Sequence, residues 1–270
     1  VELPEHSQVL AQEHEGTLTI SLNRPQVRNA MSLAMIDQLL VLLNLAEREP
    51  ALRAIVLQGS EGNFCAGADI KDMAGARAQP VSESEDPVAR VNASFGRLCS
   101  AYARTPVPVV CLVEGAVMGG GFGLACVSDV TLAAASTVFA LPETSLGVVP
   151  AQIAPFLVER LGFAQAKRLA VTGGRIGADE ALALGLVHEV HPDRQALDAA
   201  LTRTLDKIYA CAPGATRATK QLMQRARLEP AETLVEHASL VFAAAARGPE
   251  GAEGMVSFLQ KRKPSWAQRS

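Results

Sequence analysis

Apolar and polar residues alternate over Val9–His14 and again over Thr17–Leu22, with Glu15-Gly16 between them, which predicts two strands joined as a hairpin. The period then changes. Over 33–49 apolar side chains recur at Ile36, Leu39, Leu40, Leu43 and Ala46, one stripe of a helix that Ser32 can cap. Residues 54–57 and Val109–Val113 are short unbroken apolar runs, the mark of strands buried on both faces. Between them, 88–104 reads as a helix that ends before Pro106 and Pro108. Residues 73–86 are small, polar and acidic with no period, which predicts a mobile surface loop. Short strands are expected at 130–133 and Val138–Ala140. Helices follow over 151–161 and 164–171, stopped by Gly162 and by Gly173-Gly174. A short helix at 179–184 and a last strand at 186–190 complete the mixed region. From Asp193 onward the pattern is helical, punctuated by Pro213, Pro230 and Pro249. The fold class is therefore α/β, with a mixed core over 1–200 and an all-helical module over 201–270.

A chain of 270 residues, 49% of them hydrophobic, can bury one substantial core. The net charge of −3 is made of mixed signs, and no basic block points to nucleic acid or to an anionic membrane. No apolar run approaches the ~20 residues of a membrane span. The first ten residues lack a basic region followed by an apolar core, so a cytoplasmic protein is expected. The five cysteines are scattered and form no CxxC, which reads as small buried thiols in a reducing compartment. Cys65 has no histidine near it in sequence to activate it. His188 and His191 flank Glu189-Val190 in a strand pattern rather than HExxH, so no metal site is expected. The absence of GxSxG argues against a serine hydrolase elbow.

Two segments carry candidate chemistry: 63–71 (NFCAGADIK) and 114–123 (EGAVMGGGFG). Both are rich in Gly and Ala and both follow a buried strand. Residues without bulky side chains leave backbone N–H groups open to a ligand. Brought together, two such loops can direct two N–H donors at one oxygen, the arrangement of an oxyanion hole. A third segment, 139–147 (FALPETSLG), holds one carboxylate, Glu143, among Phe139, Leu141, Leu146 and Val148. An apolar setting raises a carboxyl pKa and suits it to proton transfer at carbon. Asp69 and Asp72 read as residues that cap or brace the first loop.

FCAGADI (64–70), GGGFGLACVSD (119–129), LPETSLG (141–147) and ALALGLVHEV (181–190) occur in that order. With RPQVRNA (24–30) they make the chain resemble the crotonase (enoyl-CoA hydratase/isomerase) superfamily from about residue 9 to 263. The resemblance implies a ββα spiral core, a C-terminal helical trimerisation module, and a homotrimer or dimer of trimers. It implies an acyl-CoA thioester substrate, with coenzyme A as part of the substrate and no separate cofactor. It places the oxyanion donors at the backbone N–H groups of Ala68 and Gly120 and the catalytic acid/base at Glu143. For coenzyme A it points to the backbone around Ala66, Ile70 and Lys71, to Arg28, and to Phe242 and Lys261 lent across a subunit contact. Arg28, Lys71 and the 261–263 run also read as ordinary surface charges.

One position departs from the pattern. Hydratases of this superfamily carry a second glutamate where this chain has Gly123, and a glycine there is expected to widen the acyl pocket. The stretch 141–162 (LPETSLGVVPAQIAPFLVERLG) resembles bacterial hydratases of branched glutaconyl-CoA esters, the 3-methylglutaconyl and isohexenylglutaconyl types. Three functions follow: a hydratase of an α,β-unsaturated acyl-CoA, an isomerase that moves a double bond from position 3 to 2 with Glu143 alone, and a non-catalytic CoA-ester binder. A dinucleotide fold fails because Leu124 stands where the third glycine of its fingerprint belongs.

Overall fold

The hairpin forms as its alternation predicts: β1 (Val9–His14) pairs antiparallel with β2 (Thr17–Leu22). Glu15 and Gly16 turn it with φ of 47° and 78°, the left-handed pair that a two-residue hairpin needs. The structure, a computed structural model, describes residues 3–5, 7–82 and 85–267. Residues 83 and 84 of the expected loop, and the ends of the two expected regions at 1, 2 and 268–270, lie outside the described residues.

The main sheet has six strands in the order β1-β2-β3-β4-β6-β9, with β3 at Ala54–Gly59, β4 at Val109–Val113, β6 at Val130–Ala134 and β9 at Glu189–His191. After the hairpin every pairing is parallel. The centre of a parallel sheet is covered on both faces, which is why β3 and β4 read as unbroken apolar runs. β9 is shorter than the 186–190 run: the amides of Leu186 and Val187 bond back to Ala181 O, so these residues close a helix instead of joining the ladder. A second sheet holds β5 (Ala116–Met118), β7 (Val138–Ala140) and β8 (Arg175–Gly177) in that order. Sequence pattern misses β5, which lies inside the glycine-rich segment, and β8, which has a single apolar side chain, whereas the equally short β7 is apolar throughout.

Helix α1 (Leu33–Arg48) starts where Ser32 Oγ accepts the Met35 N–H at 3.1 Å. Its stripe is that expected, except that Met35 and Leu42 are buried with it and Leu40 lies at its edge. The expected loop at 73–86 is corrected by α2 (Ile70–Arg77), capped by Asp69, whose carboxylate accepts the Lys71 N–H. α2 buries Ala76 alone, so it has no apolar stripe for periodicity to detect. Helix α3 (Pro87–Arg104) is capped by Asp86 and has Pro at its first position. α4 (Gly120–Val127) is buried from Gly121 onward, and α5 (Ala154–Thr172) is broken at Gly162, with φ 72° and ψ 155°, as that glycine predicts. After α6 (Ala178–Ala183) come α7 (Arg194–Ala210), α8 (Pro213–Ala226), α9 (Ala231–Arg247) and α10 (Pro249–Leu259).

One face of the sheet packs on α1, α3 and α4, the other on α7 through Val56, Val110, Leu132, Leu197 and Ala200. Residue 200 therefore lies inside a helix that belongs to the sheet. α8 is tied on by side chains that cap carbonyls: Arg217 bonds Ala46 O and Leu52 O, and Lys220 bonds Val107 O. α9 and α10 bury little of their apolar surface, with Phe242 75% and Phe258 83% exposed.

Candidate active site

Backbone hydrogen bonds zip the two glycine-rich segments together. Phe64 N donates to Glu114 O, Cys65 N to Ala116 O and Met118 N to Cys65 O, each at 2.9 Å, forming a parallel bridge between Cys65 and Val117. Ala68 and Gly120 each lie three residues beyond that bridge. Close approach requires glycine. A Cβ on Gly121 would fall 2.7 Å from Cys65 Cβ. Gly119 has φ 48°, and a Cβ there would lie 2.9 Å from Glu143 Oε1 and 3.8 Å from Gly67 Cα.

The amides around these loops are mostly engaged: Ala66 N bonds Arg28 O, Asp69 N bonds Met31 O and Gly119 N bonds Ala140 O. Among the described residues, the N–H groups of Ala68 and Gly120 have no backbone or side-chain acceptor. Gly120 opens α4, where first-turn amides are unpaired and the helix dipole is positive. Both residues line one cavity of about 390 Å³.

Glu143 lines the same cavity, on the turn after β7. Its carbonyl accepts the amides of Leu146 and Val148 at 3.0 and 2.9 Å, which fixes the backbone under the side chain. Oε2 is buried and has no hydrogen-bond partner among the described residues. Burial raises the carboxyl pKa above its ordinary value. The two other acids of the lining are committed. Asp69 pairs with Arg24 at 2.6 Å and caps α2, and Asp72 accepts the Leu33 N–H at 2.7 Å. Asp69 and Asp72 thus brace the loop as expected. If Glu143 acts as the base, activity needs its ionised form, so the acid limb of the kcat/KM profile should lie above the ordinary glutamate range of about 4.3. A limb at the ordinary value in a pH–rate titration would contradict a desolvated base.

A family model described as enoyl-CoA hydratase/isomerase matches residues 12–269. The chain belongs to the enoyl-CoA hydratase/isomerase family. It is similar to two Escherichia coli K12 proteins. One is a 2,3-dehydroadipyl-CoA hydratase, 29% identical, with 97% of this chain and 100% of the relative covered. The other is a 1,2-epoxyphenylacetyl-CoA isomerase, 30% identical, with 96% and 97% covered. Among solved structures, an enoyl-CoA hydratase/isomerase from Marinobacter aquaeolei superposes with a TM-score of 0.94 at 49% identity, covering 97% of this chain and 99% of that one. Pseudomonas aeruginosa AtuE superposes with a TM-score of 0.94 at 51% identity, covering 97% and 100%. The crotonase-type fold and the enzyme class are established by these matches, and both hydratases and isomerases occur among them.

The cavity of this family member brings together Ala66, Ala68, Ile70, Gly120 and Glu143. Gly123 is not in its wall, which corrects the expectation that this glycine widens the pocket. A Cβ there would fall 2.5 Å from Ile153 Cγ2 and 3.3 Å from Cys99 Sγ. Ile153, on the cavity wall, fills the volume that the missing side chain leaves. Arg28 bonds the first loop through its carbonyl, with an exposed side chain, and Lys71 is exposed on the first turn of α2. Phe242 on α9 and Lys261 just past α10 are exposed, and neither lines the cavity.

Three features escaped sequence reading. Asn29 is fully buried, donates to Ser60 O and Asn63 O at 2.9 and 2.7 Å, and accepts the Arg24 N–H at 2.8 Å. It locks the RPQVRNA turn to the segment before the first loop, and its polar side chain inside a motif was the signal. Asn29→Ala strands these groups and should cost about 2–4 kcal/mol in a denaturant titration. The carboxamides of Asn92 and Gln152 pair on the cavity wall at 2.8 Å across 60 residues, which no local pattern announces. His188 Nδ1 accepts the Thr131 N–H at 3.0 Å, a structural role on the edge of β6. Burial pushes the Cys65 thiol up to about 11, which is unfavourable for a nucleophile. Among the described residues no helix is long and apolar enough to cross a membrane.

Proposed function

We propose that this protein adds water to an α,β-unsaturated acyl-CoA, with a branched glutaconyl-CoA as its substrate. The reading is carried by one observation: two unpaired amides, Ala68 and Gly120, and a half-buried carboxylate, Glu143, whose Oε2 has no partner among the described residues, line the same cavity. The amides would hold the thioester oxygen, and each such donor typically contributes ~3 kcal/mol as negative charge grows there. Glu143 takes a proton from water as its oxygen bonds to C3, the double-bond electrons move to the thioester enolate, and Glu143 returns that proton to C2. With Gly123 unable to position the water, the distal carboxylate of the substrate would do so. The resemblance of 141–162 to glutaconyl-CoA hydratases supports the substrate.

Coenzyme A would enter as part of the substrate, with no separate cofactor, along Ala66, Ile70, Lys71 and Arg28. Phe242 and Lys261 would come from a neighbouring subunit of a homotrimer or dimer of trimers in the cytoplasm. The exposed apolar side chains of α9 and α10 support such packing.

A second reading, a 3-to-2 enoyl-CoA isomerase, is favoured by the single uncommitted carboxylate of the lining. Glu143 alone would remove a proton from C2 and return one to C4. Incubation with enoyl-, 3-enoyl- and branched glutaconyl-CoA esters, with products resolved by mass, separates the readings. Hydration adds one water mass to the glutaconyl ester; isomerisation adds nothing. Conversion of the 3-enoyl ester without hydration of any ester would replace the first reading by the second.

A further inference from the structure

We infer that Arg24 is a positioning residue of the oxyanion site: it holds the Ala68 N–H on the thioester oxygen through two peptide groups linked in series. This rests on the acyl-CoA reading above, in which that N–H is one of the two donors, and it holds for hydration and isomerisation alike.

The line of contacts begins at the guanidinium. Arg24 Nη1 donates to Ala30 O at 2.7 Å. The same peptide group carries the Met31 N–H, which donates to Gly67 O at 2.8 Å. The peptide group of Gly67 O in turn carries the Ala68 N–H. In a trans peptide the C=O and N–H point to opposite edges of one plane. With Gly67 O turned onto Met31, the Ala68 N–H is turned away from it. Ala68 lines the cavity, and its N–H has no acceptor among the described residues. Asp69 N completes the parallel bridge between Met31 and Ala68 by donating to Met31 O at 2.9 Å. The direction of the donor is therefore set from behind, by Met31, and Arg24 holds the carbonyl of the peptide that Met31 N belongs to.

The two donors differ in what supports them. Gly119 O, at the back of the Gly120 peptide, accepts the Gly123 N–H at 3.0 Å, a bond made by the first turn of α4. A helix supplies that support by itself. Ala68 stands in a loop ahead of α2, and its support comes from the distant RPQVRNA turn. Asn29 fixes Arg24 there from both sides: its Oδ1 accepts the Arg24 N–H at 2.8 Å and its own N–H donates to Arg24 O at 2.9 Å.

The chemistry favours a charged residue at the start of this line. A hydrogen bond from an ionised donor is stronger than a neutral one, and peptide groups bonded in series polarise one another. The Arg24 side chain is 16% exposed, so water competes little for it. Polarisation along the two peptides makes the Ala68 N–H a better donor as negative charge grows on the thioester oxygen. Arg24 does this without lining the cavity. The same nitrogen meets Asp69 Oδ2 at 2.6 Å, which offsets part of the charge and gives Arg24 a second route to the loop. Only the route through Ala30 O ends on the peptide group that carries the donor.

Infrared spectroscopy reads the donor directly. Butyryl-CoA with an isotopically labelled thioester carbonyl has no double bond to hydrate or move. Its carbonyl stretch should fall in frequency on binding to the unmodified protein, because N–H donors weaken the C=O bond. Arg24→Gln, shorter and uncharged, should lose most of that fall while affinity for butyryl-CoA stays within about threefold. In turnover its kcat should drop about 10–100-fold with KM within about threefold, since a misdirected donor costs less than the 10²–10³-fold typical of a lost one. Arg24→Lys, which keeps a charged donor, should recover part of both. Asp69→Asn removes the ion pair, leaves a cap for α2 and should keep the full infrared shift.

A loss of shift in Asp69→Asn as large as that in Arg24→Gln would assign Arg24 to bracing the loop through its ion pair and overturn the inference. An unchanged shift in Arg24→Gln would overturn it as well. Should Arg24→Gln not fold, the order of the other two decides. A smaller shift in Arg24→Lys than in Asp69→Asn supports the relay, and equal shifts or the reverse order overturn it. No shift in the unmodified protein would remove the oxyanion reading and the role of Arg24 together. A shift that the unmodified protein and every variant share leaves that reading standing and removes Arg24 alone.

Discussion

Replacing Glu143 by glutamine should lower turnover by at least ~10²-fold while acyl-CoA binding survives. Glutamine keeps the volume and removes the basicity. The cavity offers no substitute, because Asp69 and Asp72 are held by Arg24, Lys71 N and Leu33 N. The fall should appear in kcat, with binding of a saturated acyl-CoA within about threefold of the unmodified protein. The same substitution should not destabilise the fold at neutral pH. Below the ordinary glutamate pKa this carboxyl is neutral in both folded and unfolded chains. As pH rises toward the raised folded value, the unfolded chain ionises first, and stability falls across that window. Glutamine removes that penalty, so the melting temperature at pH 7 should equal or exceed that of the unmodified protein. Turnover near normal in Glu143→Gln would place the chemistry elsewhere.

The second large effect concerns Gly123. Restoring the family's glutamate by Gly123→Glu should fail to create a better hydratase and should destabilise the protein. The first atom of the new side chain would fall 2.5 Å from Ile153 Cγ2, and Gly123 is buried. Overpacking typically costs about 1–3 kcal/mol, and burying an unpaired carboxylate adds to it. Pairing the change with Ile153→Ala removes the clashing methyl and opens a path for the carboxylate to the cavity. The double variant should recover stability relative to Gly123→Glu and hydrate a simple enoyl-CoA such as crotonyl-CoA about 10-fold or more faster than that single variant. Thermal melts and crotonyl-CoA kinetics on the three proteins check both halves. A stable, highly active single variant would mean that Ile153 yields freely and that the wall is not set by this contact.

Local chemistry made much of this protein legible in its sequence. The alternation of β1 and β2, the unbroken runs of β3 and β4, the Ser32 cap and the break at Gly162 are each written in a few consecutive residues. The motif loops and Glu143 were legible for the same reason: small residues beside a strand, and an acid among apolar neighbours, are short-range features. What tertiary structure decided are the contacts between distant segments. α2 and the strands β5 and β8 are held by caps and cross-strand partners and carry no stripe or period of their own. Gly123 reads as an empty place until Ile153, thirty residues later, is seen to fill it. Asn92 and Gln152 are ordinary polar residues until packing sets one carboxamide on the other. Periodicity reports which way a side chain faces, whereas the volume it enters and the partner it meets depend on how non-adjacent segments pack.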